Sequence, residues 1–361
     1  MIVYLSKHDV LKSVPMELCI KYLRTNSQKK IIVIHGNYNL NSLTTDQKIN
    51  ICFKRLPLLF FIIRKFIDFL LKINLINVHW CFFLKELNFD IFSCFKLFFC
   101  KSVSEIHSPF YTPITFFFNN NNLKVYHPMN PCDIDIYNWT IVNTNILNEE
   151  LKDVYENKFR LIAIKRFLFN TDKIVGFNEY VLNSFKKYIN QYNFDLELDI
   201  RIQKFDLELR LDNKSNKLGF ISAPFKIKGL DLILESNFIT NYGIDVVGDW
   251  RNIQSAIKKG INLLGILKNK NRDNWYKKMG IIIVPSYFDG MPRVIMEAIN
   301  FGCIVLCSDT CGYSFFLDKS QIFKSGSIID LESKLKHLLG LSYNQRKNLI
   351  TNSLHIIKKL Q

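Results

Sequence analysis

The chain has 361 residues, 48% of them hydrophobic and 22% charged, which excludes a disordered segment and suits two packed cores of roughly 150 to 200 residues each. Lys and Arg number 48 against 32 Asp and Glu, a formal net charge of +16. That balance biases the surface toward anionic partners such as nucleotide diphosphates, acidic lipid headgroups or nucleic acid, without choosing among them.

In chain order, the opening reads as strand, helix, strand: residues 1–6, a helical stretch over 14–24, then Ile31-Ile32-Val33-Ile34 ending at His35 and Gly36. Short β-branched runs alternating with helical patterns predict parallel strands joined by right-handed crossovers. No signal-peptide pattern precedes residues 1–6, and the nine cysteines show no disulfide framework, so a reducing cytoplasm is expected. Residues 56–63 are wholly apolar, but Arg64, Lys65, Asp68 and Lys72 interrupt the run before the roughly 20 residues that a spanning helix needs. Two readings of 56–73 stay open: a basic amphipathic helix lying on an anionic bilayer, and a domain helix with a solvated charged edge.

Further strands are predicted at 103–107, at 123–126 ahead of His127-Pro128, and at 173–176. Residues 119–122 are all Asn and read as a turn. Longer helical or irregular segments occupy 130–170. Within them, Asp133 and Asp135 have the DxD spacing of metal-binding acids and are read as part of a loop. The polar stretch 212–217 places the domain boundary between residues 212 and 213.

The second half is more regular. Strands are predicted at 218–222, 244–247, 261–264 ending in Gly265, 281–284 and 303–307. Helices alternate with them near 229–240, 272–279, 292–301 and 331–340, and a final helix over 341–361 is able to pack back on the N-terminal domain. Five such units predict a doubly wound α/β sheet whose ligand lies at the carboxyl ends of the strands. Cys303, Cys307 and Cys311 are evenly spaced, but Cys303-Ile304-Val305-Leu306-Cys307 reads as a buried strand rather than a metal site.

The segment with the clearest chemistry is Val284-Pro285-Ser286-Tyr287-Phe288-Asp289-Gly290-Met291-Pro292-Arg293-Val294-Ile295-Met296-Glu297-Ala298. A strand ends at Pro285, a loop carries Asp289 and Gly290, and a helix begins near Pro292, where proline is tolerated because first-turn N–H groups are unbonded. Those N–H groups and the helix dipole suit a diphosphate. Asp289 and Glu297 are eight residues apart, one in the loop and one about a turn and a half into the helix. One carboxylate is then placed for sugar hydroxyls and the other for ribose hydroxyls.

This segment resembles the acid-x7-acid signature of the retaining glycosyltransferases of family 4, the group 1 glycosyltransferases, together with the following Gly302, Ser308-Asp309 and Gly312. Lys228-Gly229-Leu230-Asp231-Leu232, Val247-Gly248-Asp249, Leu264-Gly265 and Thr171-Asp172-Lys173-Ile174-Val175 before Glu179 extend it more weakly. The resemblance covers residues 218–315 well and the N-terminal half poorly. It implies the GT-B fold, two Rossmann-like domains with parallel sheets facing across a cleft: an acceptor-side domain over 1–212 and a nucleotide-sugar domain over 213–340.

The resemblance also implies roles. Glu297 binds the nucleotide ribose, Asp289 contacts the donor sugar, and Lys228 neutralises the diphosphate leaving group. Gly290, Met291, Pro292 with its neighbours, and Gly265 complete the donor site. His127 stands where the family often places a histidine facing the donor sugar; His107 and His35 also end apolar runs, where a structural role competes. The implied reaction moves a sugar from a nucleotide-sugar donor to a saccharide or polyprenyl-linked acceptor with retention. It implies no cofactor and no required metal, since GT-B needs no such metal site, and no nucleic-acid-reading motif is found. Placed by analogy in bacterial surface polysaccharide assembly, it would act at the inner face of the cytoplasmic membrane.

Two departures bear on activity. Asp289 stands where the family usually has Glu. Ser222-Ala223-Pro224-Phe225 occupies the stretch that usually carries an arginine, leaving Lys226 as a substitute point charge without the bidentate fork. A sugar-nucleotide epimerase of the same fold and a catalytically silent subunit therefore stay open as alternatives.

Overall fold

The computed structural model describes residues 1–6, 22, 25, 31–35, 51–73, 75–76, 78–100, 102–119, 121–142, 158–200, 215–250 and 259–360. Two compact units result, one from Met1–Trp139 with Val154–Gln203, the other from Thr140–Asp153 with Lys204–Gln361. The boundary expected at 212/213 lies outside the described residues.

The first unit holds seven strands: β1 Ile2–Ser6, β2 Ile31–His35, β3 Ile51–Arg55, β4 Glu105–Ser108, β5 Leu123–Tyr126, β6 Lys173–Gly176 and β7 Asp195–Leu198. They form one sheet in the order β3-β2-β1-β4-β5-β6-β7, and every pairing is parallel. The order reverses direction at β1, so the switch point lies between β1 and β4. Val3 and Leu5 of β1, Ile32 and Ile34 of β2 and Ile106 of β4 enter one core, the period-2 alternation of a strand. Phe60 and Phe61 from the helix Leu58–Lys72, Phe89 from Val78–Phe98, Phe116 from Pro113–Phe118 and Phe167 from Lys158–Phe169 close that core. Of the helix expected over 14–24, only Tyr22 falls within the described residues.

The second unit holds β8 Leu218–Ile221, β9 Ile244–Val247, β10 Ile261–Gly265, β11 Ile281–Val284, β12 Ile304–Ser308 and β13 Ile322–Phe323. Their order is β10-β9-β8-β11-β12-β13, again parallel throughout. Here the switch point lies between β8 and β11. The two doubly wound parallel sheets agree with the predicted α/β class.

Two expectations are corrected, and the last helix is placed in its unit. The helix expected over 229–240 is two helices, Leu230–Glu235 and Asn237–Tyr242, because Ser236 leaves the helical region (ψ 111°) and its hydroxyl accepts the Ile239 N–H. That is the N-cap role for which serine is favoured. The last helix, Tyr343–Leu360, packs on the helix Arg293–Asn300 and on β12 and belongs to the second unit. Asp133 and Asp135 open the helix Asp133–Val142 rather than a loop. Asp133 pairs with Arg160 at 2.9 Å, and Asp135 accepts the Tyr188 hydroxyl at 2.6 Å. Burial pushes the Asp133 carboxyl up to about 6 despite the attraction of Arg160. Among the described residues no group of three or more His, Cys, Asp or Glu side chains is arranged to hold a metal ion.

Candidate donor-binding site

The site grows from the switch point of the second sheet. β8 and β11 are neighbours, with Leu218 opposite Ile281, so the segments leaving their carboxyl ends emerge side by side. After β8 the chain makes a tight 3-10 turn, Lys226–Lys228, and then passes through Gly229 at φ +72°. A Cβ on Gly229 would lie 1.9 Å from the Pro285 carbonyl oxygen, so glycine is demanded both by backbone hand and by close approach. The Tyr287 N–H donates to the Ile227 carbonyl at 2.8 Å, fastening this turn to the loop after β11. The consequence is an ion pair between residues 61 positions apart in sequence: Lys228 Nζ donates to Asp289 Oδ2 at 2.6 Å.

Asp289 is held from the other side by the turn after β12. Its N–H donates to the Thr310 carbonyl at 3.3 Å and its carbonyl accepts the Gly312 N–H at 2.8 Å. The hydroxyls of Ser308 and Thr310 both donate to the Ser286 carbonyl, at 2.5 and 2.8 Å. The Ser308 and Gly312 positions quoted with the acid pair thus act in part as the brace behind the loop.

Gly290 and Pro292 are buried and Met291 is half-buried. Pro292 is the N-cap, not the first helical residue, of Arg293–Asn300, and no side chain caps that end. First-turn N–H groups of such a helix lack intrahelical acceptors. Glu297, a turn into the helix, has its own surroundings. Oε2 accepts the Tyr276 hydroxyl at 3.1 Å, and Oε1 lies 3.7 Å from the Arg272 guanidinium and 3.5 Å from that of Arg293. Burial first, then the charge of Glu297, raises Tyr276 well above its ordinary range, so the phenol remains a donor. Its ring stacks on Phe301 with centroids 5.3 Å apart, which fixes the hydroxyl. Arg272, Arg293 and Tyr276 are absent from the site read from sequence; the i,i+4 spacing of Arg293 and Glu297 was the signal for one of them.

Below Lys228, Asp231 is buried and accepts the Tyr287 hydroxyl at 2.7 Å through one oxygen, while the other has no partner. Burial pushes this carboxyl up to about 6, with the Tyr287 hydrogen bond pulling the other way. Lys226 is buried as well. Gly265 ends β10 at φ +66°, with open space around its Cβ direction; its carbonyl accepts the Gly248 N–H at 2.9 Å. Gly248 is the more constrained of the two, since a Cβ there would lie 2.2 Å from the Ser222 carbonyl oxygen.

His127 follows β5 in the first unit, at the carboxyl end of the strand as predicted, but its imidazole is wholly buried. Nε2 lies 2.9 Å from Nδ1 of His107, whose Nε2 lies 3.2 Å from the Glu105 carboxylate. The His127 ring stacks on Phe177 and meets Tyr22 edge-on. The two histidines are therefore one hydrogen-bonded chain rather than separate candidates. The His35 side chain lies outside the described residues. Cys303, Cys307 and Cys311 are buried, and the Cys303 thiol donates to the Tyr276 carbonyl at 3.2 Å, as core residues do.

Residues 202–355 match the family model described as glycosyl transferases group 1. Protein CapJ of Staphylococcus aureus is 27% identical over 169 residues, covering 43% of this chain and 43% of that protein, so the match spans less than half the length of the curated relative. Among solved structures, that described as trehalose-6-phosphate from E. coli bound with UDP-2-fluoro glucose superposes with a TM-score of 0.65 at 12% identity, covering 100% of this chain and 96% of the other. WaaG, a glycosyltransferase involved in lipopolysaccharide biosynthesis, gives 0.63 at 12% identity over 98% and 94%. At such identities the likeness concerns the fold, which is GT-B. The strand–loop–helix segment lies within the stretch 202–355 that is similar to the glycosyl transferases group 1 family.

Proposed function

We propose that this chain transfers a sugar from a nucleotide-sugar donor to a saccharide or polyprenyl-linked acceptor, with retention of configuration. The observation that carries the reading is the Lys228 to Asp289 ion pair, 2.6 Å long, set beside an uncapped helix N-terminus. A cation, an acid and the first amides of that helix, carried by the segments that leave two adjacent strands, suit a diphosphate with a sugar attached.

In this reading Glu297 takes the ribose hydroxyls, Asp289 the hydroxyls of the donor sugar, and Lys228 the diphosphate. Gly290, Met291 and the first turn after Pro292 line the phosphates, and Gly265 borders the nucleotide. The bond between the anomeric carbon and the diphosphate oxygen breaks through an oxocarbenium-like state. The acceptor hydroxyl adds to the same face, and its proton passes to the leaving phosphate oxygen. Lys228 and the helix amides stabilise the charge on that oxygen, where such preorganised groups contribute most. No metal is assigned to the step, and a chelator is expected to leave turnover unchanged.

Two facts support a choice of acceptor and pathway. The net charge of +16 suits polyprenyl phosphates, and WaaG, of the same fold, works in lipopolysaccharide biosynthesis. We assign the chain to bacterial surface polysaccharide assembly, O-antigen or capsule, at the inner face of the cytoplasmic membrane with the helix Leu58–Lys72 on the bilayer. Among the described residues no helix is long and apolar enough to cross one.

The test is thermal unfolding of the purified chain with a panel of nucleoside diphosphates and nucleotide sugars. A donor present at a hundred times its Kd stabilises the folded state by about 2.7 kcal/mol. Absence of stabilisation by every member removes the donor site.

A further inference from the structure

The surface of the first unit carries an apolar face wider than one helix. In Leu58–Lys72 the inward residues are Phe60, Phe61 and Ile67. A second stripe, Leu58, Ile62, Phe66, Phe69 and Ile73, is exposed. Its spacings of four, four, three and four residues put all five on one side of the helix, opposite the core. A helix that only covers a core has polar residues there.

The neighbouring helix repeats the pattern. In Val78–Phe98, Trp80, Ile91, Phe95 and Phe98 are exposed, with Phe98 72% accessible. Half-buried Leu84 and Leu87 fill the gap in the stripe. The two helices pack side by side and are tied by an ion pair between Asp68 and Lys85. The face continues onto Lys158–Phe169, where Trp80 meets Phe159 with ring centroids 5.3 Å apart and Ile162 and Phe169 are exposed. It continues again onto Pro113–Phe118, where Arg166 lies 5.8 Å from the exposed Phe117 ring. A contiguous face of this kind exceeds the isolated apolar residues normal on a soluble surface and marks a docking site.

The charges interleaved with it choose the occupant. Lys65, Lys72, Lys158, Lys165 and Arg166 are exposed on these helices, against Asp68 as the exposed acid. A second copy of the chain would set basic residues against basic residues, which opposes association. A bilayer containing anionic lipid supplies both the apolar layer for the Phe, Leu and Ile side chains and the counter-charge for the Lys and Arg, with Trp80 suited to the interface between them. We infer that the outer faces of Leu58–Lys72, Val78–Phe98, Pro113–Phe118 and Lys158–Phe169 together form one docking surface for an anionic lipid bilayer. The inference deepens, and rests on, the membrane-side placement proposed above.

The test is flotation of the full chain with vesicles of equimolar phosphatidylglycerol and phosphatidylcholine, and with vesicles of phosphatidylcholine alone. Phe66→Ser with Phe69→Ser removes two rings from the first stripe; Phe95→Ser with Phe98→Ser removes two from the second. All four side chains are exposed, so unfolding temperatures are expected to stay at the parent value. The control is Ile329→Ser, exposed in the second unit. The parent and the control should float with anionic vesicles and be released by salt. Each double variant should bind about tenfold more weakly or worse. If only the Phe66 and Phe69 pair matters, one helix docks: the wide face is overturned while the membrane placement stands. If neither pair changes flotation, or phosphatidylcholine alone binds the parent equally, the anionic bilayer is not the occupant. A parent that is dimeric in solution, with monomeric variants, transfers the face to a second copy.

Discussion

Replacing Asp289 by Asn should strengthen binding of a nucleoside diphosphate while weakening catalysis. In the free chain the Lys228 ammonium is committed to Asp289 at 2.6 Å, with the two side chains 22% and 12% exposed. A pair in this intermediate setting is worth about 1 to 2 kcal/mol, above an exposed ion pair and below a fully buried charge-assisted hydrogen bond. A diphosphate that recruits Lys228 must disrupt or share that pair and must also approach the Asp289 charge. Two like unit charges about 5 Å apart repel by about 3 kcal/mol at an effective dielectric of 20, before solvent and salt reduce the figure. Asn keeps the side chain's size and removes both obstacles. Affinity for a nucleoside diphosphate, measured by isothermal titration, is therefore expected to rise about five- to thirtyfold, equivalent to about 1 to 2 kcal/mol. Turnover of the nucleotide sugar should fall by about ten- to a thousandfold, the scale of a contact made in the transition state. Lys228→Gln should move the affinity the other way. A double-mutant cycle read by chemical unfolding isolates the coupling between the two side chains. Lower nucleoside diphosphate affinity in Asp289→Asn, or a coupling of zero, would refute the reasoning.

Three other substitutions probe the same region. Gly229→Ala places a Cβ 1.9 Å from the Pro285 carbonyl oxygen at φ +72° and should cost about 3 kcal/mol, some 6 to 12 °C in Tm by calorimetry; an unchanged Tm would show that the turn does not press on Pro285. Asp231 titrates at about 6 in the fold against 3.8 as the ordinary value, so the folded state holds its proton more tightly and stability falls as pH rises from about 4 to about 6, by up to about 3 kcal/mol from this group. Asp231→Asn should flatten that part of the urea-unfolding profile and gain on the parent toward pH 7; parallel profiles would mean that the carboxyl is not buried. Glu297→Ala should weaken nucleotide binding by about 1 to 3 kcal/mol with the fold retained, and equal titration curves would take Glu297 out of the site.

Much of the second sheet is legible because its strands are continuous apolar runs. Ile281–Val284 is buried at every position, as expected of a parallel strand covered on both faces. Edge strands are harder. Asp195–Leu198 alternates acids with leucines and is only partly buried, and Ile51–Arg55 ends in two basic residues; neither carries the pattern of a central strand. Ile322–Phe323 has two residues, too few for any periodicity. Ser236 looks like an ordinary helical serine in a run from 229 to 240, and only its ψ of 111° and its bond to Ile239 reveal two helices. Whether the Tyr343–Leu360 helix stays with its own domain depends on contacts to β12 and Arg293–Asn300, which no local pattern contains.

The site shows the same division between local and non-local causes. Asp289 and Glu297 can be placed from their spacing because a short loop and one helix turn separate them, and each of those has its own sequence signal. Lys228 is different. Its partner lies 61 residues on, and what joins them is that β8 and β11 are neighbours at the point where strand order reverses. A sequence read strand by strand places both residues at carboxyl ends yet leaves the pairing of those ends undetermined. Glu105, His107 and His127 repeat the lesson in the first unit. Glu105 and His107 share one face of β4 by alternation, and His127 ends the adjacent β5. Taken singly each histidine is a strand-end residue of undetermined purpose; taken as sheet neighbours they form one hydrogen-bonded chain with Glu105. Residues whose chemistry depends on their own turn of chain can be assigned from the sequence, whereas those that act through the strand next door need the sheet order first.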